Sequence, residues 1–126
     1  MQAVVLLVED DNDLRKAISL ALEPEGYLVL EATDGQSGWE LLQRMPRPDV
    51  VITDLSMAPV NGREFLRRKE ADPEYRTIPV MIFTGEADVS DLSRYLVFRK
   101  PFELKRLVGS LARMSSTKPF FAPKDG

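Results

Sequence analysis

Apolar residues in this chain come in short blocks separated by amphipathic stretches. Ala3–Val8 (AVVLLV), Tyr27–Ala32, Asp49–Thr53 (DVVIT) and Ile78–Phe83 (IPVMIF) are too short for core helices and lack the alternation of a half-exposed strand. Such runs predict buried strands. Leu14, Ile18, Ala21 and Leu22 fall at helical spacing between the N-cap candidates Asp11/Asn12 and the stop Pro24/Gly26. Gln36–Arg44 predicts a second helix with Trp39 and Leu42 on one side, ended by Pro46 and Pro48. Asn61 and Gly62 open a third, apolar at Phe65 and Leu66, which Asp72-Pro73 breaks after about Ala71. Tyr95–Arg99 predicts a weaker fifth strand, and Leu104, Leu107, Val108 and Leu111 an amphipathic last helix. From Met114 onward the prolines and lost periodicity predict a flexible tail, giving one domain over 1–113 and a tail over 114–126.

Strands alternating with helices predict a doubly wound α/β domain with a five-stranded parallel sheet covered on both faces. The 126 residues suffice for one such domain. The chain has no cysteine and no histidine. That excludes thiol nucleophiles, disulfides, Cys/His zinc sites and a Ser-His-Asp arrangement, leaving carboxylates, lysines and hydroxyls to carry any chemistry. A net charge of −3 argues against direct nucleic-acid binding. The longest apolar run is far short of a membrane span, and the N-terminus has no signal pattern, so a cytoplasmic protein without membrane insertion is expected.

In doubly wound sheets ligands bind beyond the carboxyl ends of the strands. There the sequence places Glu9, Asp10 and Asp11 after the first strand, Asp54 at the end of the third, Thr84 after the fourth and Lys100 after the fifth. The first loop, VEDDND, has acids where phosphate-cradling versions of this architecture have glycines. Clustered carboxylates are hard-oxygen ligands suited to Mg2+. Asp11 and Asp13 are read as helix-capping acids, Glu9 and Asp10 as metal-binding ones. Thr84 alone could be a helix cap and Lys100 a surface charge, but at successive strand ends they form a constellation.

The acidic pair in LLVED, the acid in ITDLSM followed by NG, the threonine in PVMIFTGEA and the KPF near the end resemble the receiver domain of bacterial response regulators. The resemblance covers residues 1–113 and implies a flavodoxin-like (βα)5 receiver fold. It implies that Asp54 accepts a phosphoryl group from a phosphohistidine of a sensor histidine kinase or phosphotransfer protein. Asp10, Asp54 and the main-chain carbonyl of Ser56 would hold Mg2+, with Glu9 reaching it through water; Lys100 and Thr84 would contact the phosphoryl oxygens. The Lys100–Pro101 bond would be cis. The product would switch a surface read by a downstream protein target, a separate output domain or a second copy in a homodimer, and the domain would catalyse its own phosphorylation and slow dephosphorylation.

Three departures from the family pattern stand out. Ala58 intervenes before Pro59, which is expected to re-route that loop without moving Asp54. The aromatic switch position three residues before the KPF lysine is Val97, with Tyr95 two residues earlier on the same strand face. Only residues 85–99 separate Thr84 from Lys100. A strand of about five residues leaves about ten for the crossover, so its helix is expected to be stunted to one or two turns. Docking or dimerisation through this face is therefore expected to be weakened, or replaced by contacts through Tyr95, Phe98 or the Phe120–Phe121 tail. Alternatively, Tyr95 takes over as the gate. A receiver-shaped binding module independent of phosphorylation is the alternative function. A haloacid-dehalogenase reading of Asp11 and Asp13 is disfavoured, because those acids fall past the strand end and Leu14 follows where that family wants Thr or Val.

Overall fold

The structure is a computed structural model that describes residues 2–44, 46–57, 60–86 and 89–115. Five strands, β1 (Val4–Val8), β2 (Leu28–Ala32), β3 (Val50–Asp54), β4 (Val80–Thr84) and β5 (Leu96–Arg99), form one sheet in the order β2-β1-β3-β4-β5. Every pairing is parallel. Helices α1 (Asn12–Leu22), α2 (Gly35–Leu42), α3 (Gly62–Ala71) and α4 (Leu104–Ser115) cover it. The last helix runs two residues beyond the expected boundary at 113, and residues 116–126 lie outside the described region.

Strand alternation explains why the central runs are continuously apolar. Val5 and Leu7 of β1, with Val50 and Ile52 of β3, pack with Ile18 and Leu22 of α1 and Leu107 and Leu111 of α4. Leu6, Val8 and Val51 point the other way, into a core shared with Leu42 of α2 and with Phe65 and Leu66 of α3. Each such side chain contributes roughly 1.5–3 kcal/mol on burial. Burial on both faces is complete in β1, β3 and β4. The edge strands depart from that expectation: β2 and β5 are partly exposed, because a terminal strand has a neighbour on one side only.

The chain enters and leaves the helices as the punctuation predicts. Asp11 caps α1 by accepting from the N–H groups of Asp13 and Leu14. After α1 a 3-10 turn over Glu23–Glu25 closes on Gly26, whose φ of 97° suits glycine. Asn61 caps α3 by accepting from the Glu64 N–H. Near the far end of α3 the buried Lys69 donates to Glu70 and to the Arg76 carbonyl, and burial pushes its pKa down.

In place of the expected one or two α-helical turns, the described residues of the β4–β5 crossover hold one 3-10 turn, Ser90–Leu92. Polar contacts to α3 take the place of helix packing there. Arg63 of α3 pairs with Asp91, and Glu70 of α3 accepts from Arg94 at 2.7 Å. Tyr95 packs against the core on the α3 side beside Leu92 and Val97, so the two candidate switch residues do share a face. Phe98 faces the opposite way, buried with Phe102 under α4, and is not available for docking.

Candidate functional site at the carboxyl ends of the strands

The parallel register brings the chemistry-bearing residues to one edge. Asp54, the last residue of β3, pairs with Phe83 of β4, and Thr84 pairs with Arg99 of β5. The Lys100 N–H donates to the Thr84 carbonyl at 2.8 Å, extending that ladder by one residue. The Lys100–Pro101 bond is cis, as expected from the resemblance.

Asp54 is only 2% exposed. Its Oδ2 lies 3.0 Å from Lys100 Nζ, and its Oδ1 accepts from the Ser56 N–H at 3.2 Å. Glu9 is fully buried; its Oε1 lies 3.2 Å from the same Nζ, and its Oε2 accepts from the Asp11 N–H at 2.8 Å. Asp10 is exposed. Carboxylate oxygens of Glu9, Asp10 and Asp54 lie within 4.8 Å of one another. Burial resists the Lys100 charge, yet Asp54 and Glu9 outweigh it and hold its pKa above the ordinary value.

These residues fit a divalent cation. The donor set is all hard oxygen, and one ammonium faces three carboxylates, leaving an excess of negative charge.

Burial, the hydrogen bond to Asp10 and the charge of Asp54 push Glu9 up to about 7 from 4.5, against the Asp11 N–H and Lys100, which lower it. The sign follows: between about pH 4.5 and about pH 7 the folded chain keeps a proton there that the unfolded chain has lost, so this contribution to stability falls as pH rises through the window. It amounts to about 3 kcal/mol at most. Urea unfolding of the metal-free protein at several pH values should show that slope, and Glu9→Gln should flatten it. Mg2+ should stabilise the wild type more above pH 7 than below, since proton and cation compete for the same carboxylates. An unchanged slope in Glu9→Gln would assign the pH dependence elsewhere.

Thr84 is buried, and its Oγ1 accepts from the Glu86 N–H at 3.0 Å. Glu86 reaches back across the sheet edge, accepting from Ser56 Oγ and from Arg63, both at 2.8 Å. These two donors hold its carboxyl below the ordinary range. The loops after β3 and β4 are thereby tied together. The sequence reading missed Glu86 and Arg63; a lone Glu two residues past Thr84 carries no pattern of its own. Ala58 and Pro59, where a re-routed loop was expected, lie outside the described residues, while Asp54 holds its place at the strand end.

A doubly wound sheet of order 2-1-3-4-5, with an acid cluster and a lysine at its carboxyl edge, defines a flavodoxin-like class of α/β domain. The sequence profile of the response regulator receiver domain matches residues 5–112, so the chain belongs to that family, which works in two-component signalling. It is 39% identical over 117 residues to the response regulator receiver protein CpdR of Brucella abortus, spanning 87% of this chain and 94% of that protein. It is 34% identical over 107 residues to the chemotaxis protein CheY1 of Helicobacter pylori, covering 78% and 85% of the two chains. The crystal structure of Vibrio cholerae CheY4 at low pH superposes with a TM-score of 0.81 at 28% identity, covering 90% of this chain and 98% of that one. Among the described residues no helix is long and apolar enough to cross a membrane.

Proposed function

We propose that this receiver domain takes a phosphoryl group on Asp54 from a phosphohistidine of a kinase or phosphotransfer protein, with Mg2+ bound by Asp10, Asp54 and the Ser56 carbonyl and reached by Glu9 through water. The convergence of Asp54 with Glu9, Asp10 and Lys100 carries this reading. An Asp54 carboxylate oxygen attacks phosphorus, the P–N bond breaks, and the imidazole leaves with the electron pair. Held by the Ser56 N–H and Lys100, the Asp54 carboxylate has few alternative orientations, so little entropy is lost on attack. Lys100 would move its ammonium from the carboxylate to a phosphoryl oxygen, and Thr84 would exchange its Glu86 N–H contact for a bond donated to another. Bound Mg2+ supplies charge neutralisation on the transferring group. The donor histidine comes from outside, since the chain has none. Incubation with phosphoramidate should add one phosphate by intact mass, and chelating Mg2+ should suppress it; no incorporation under any condition would remove the reading.

The crossover, whose described residues hold one 3-10 turn and no α-helix, supports a second reading, an output face that no longer follows phosphorylation. Val97 is small and stiff at χ1, and cannot fill a space vacated by Thr84. Tyr95 is pinned instead, with Arg94 stacked 5.1 Å from its ring and Arg94 in turn held by Glu70. Association through this face is expected to change little when beryllofluoride is added. Sedimentation of wild type and Tyr95→Ala, with and without beryllofluoride, checks this. Dimerisation of activated wild type, lost in Tyr95→Ala, would make Tyr95 the gate and sink the second reading.

A further inference from the structure

Arg15 occupies a position on α1 where the helix pattern calls for an apolar residue. Arg15, Ile18, Ser19 and Leu22 form the buried stripe of that helix, and the Arg15 side chain is 10% exposed. A guanidinium placed there needs partners on every side. Its Nε donates to Glu31 Oε1 of β2 at 3.0 Å, one Nη to Asn12 Oδ1 at 2.6 Å, and the other to the main-chain carbonyl of Glu9 at 2.9 Å. Ser19 Oγ holds the second oxygen of Glu31 at 2.9 Å.

We propose that Arg15 is a positioning residue for Asp10, fixing the Glu9–Asp10 peptide plane so that Asp10 is aimed at the cation site. This rests on the metal-dependent reading above. The peptide unit is planar, so gripping the Glu9 carbonyl also sets the direction in which the Asp10 backbone leaves the strand. The Glu9 N–H is already tied to the Ala32 carbonyl at 3.0 Å, and its side chain is held by Asp11 and Lys100. The carbonyl is the remaining handle on that residue, and Arg15 has it. Asp10 itself is exposed; apart from its contact with the Glu9 carboxyl, its direction is set by the backbone. Glu31 neutralises the guanidinium, so the grip places no uncompensated positive charge against a cation. A lysine would keep the charge without the planar fork that reaches Glu31, Asn12 and Glu9 together.

Mn2+, which takes the same oxygen ligands, provides the probe, its free concentration read by electron paramagnetic resonance during titration of the whole chain. Arg15→Gln should weaken Mn2+ binding by roughly tenfold or more at temperatures where circular dichroism shows it folded. Arg15→Lys, the variant expected to fold most readily, should not restore affinity. Glu31→Gln should also weaken binding, by leaving Arg15 uncompensated. A purely structural role would lower the melting temperature and leave the affinity of the folded chain within about twofold of wild type, and that result would overturn the proposal. Asp10→Asn separates the two ideas. If it abolishes binding while the Arg15 variants retain it, only the positioning role falls; if it changes nothing, the cation site falls and the positioning role with it.

Discussion

Asp54→Asn will take up no phosphate from phosphoramidate under conditions that label the wild type once. The replacement has nearly the same shape, so the buried pocket can accept it, but an amide nitrogen has its lone pair delocalised and does not attack phosphorus. The single amide oxygen also cannot serve both partners. Wild-type Oδ1 accepts from the Ser56 N–H and Oδ2 pairs with Lys100 at 3.0 Å. In the variant an NH2 group must face one of those two donors. That mismatch costs about 1–3 kcal/mol, while removal of one charge from the acid cluster offsets part of it. The variant should therefore remain folded and bind Mg2+ less tightly. Intact mass followed by peptide mapping decides the matter: undiminished labelling in Asp54→Asn would put the acceptor at another carboxylate, with Asp10 the first to examine.

Much of this site was legible because its residues sit at strand ends. Burial on both faces makes β1, β3 and β4 continuous apolar runs, and the first polar residue after each run marks the sheet's functional edge. Glu9 and Thr84 follow from that rule directly; Asp54 comes one residue after Thr53, and Lys100 one residue after Arg99 at the end of the less buried β5. What pattern alone could not show is the difference between Glu9 and Asp10, adjacent acids of which one is fully buried and the other exposed. That difference arises from Lys100, 91 residues away in sequence, and from the turn at Asp11. Phe98, named with Tyr95 as a candidate docking residue, is covered by α4, whereas Leu96 on the same strand stays 41% exposed. Arg15 left a trace, a charge on a helix's apolar stripe, but its partners come from the residue after β1, from β2 and from its own helix, and only the fold assembles them.

Gly62→Ala is expected to be among the most damaging single-methyl changes near the site. Gly62 opens α3 directly behind the acceptor, donating its N–H to the Leu55 carbonyl at 3.0 Å. A Cβ there would lie 1.9 Å from the Asp54 carbonyl oxygen and 2.7 Å from the Leu55 Cα. Both obstacles are backbone, so no rotamer change relieves the overlap. Either the start of α3 recoils from the sheet or the end of β3 bends, carrying Asp54 with it. Alanine favours a helix over glycine by about 1 kcal/mol, which opposes the clash without approaching it. Net destabilisation of about 3 kcal/mol or more is expected. Labelling of the molecules that stay folded should also slow by about tenfold or more, because the nucleophile shifts relative to Lys100 and the acids. Urea unfolding gives the first quantity, and phosphoramidate kinetics at low temperature, corrected for the folded fraction, give the second. A variant within about 1 kcal/mol of wild type that labels at the normal rate would mean that α3 can back away from β3 freely, and the tight seat of Asp54 would then have to come from Lys100 and Ser56 alone.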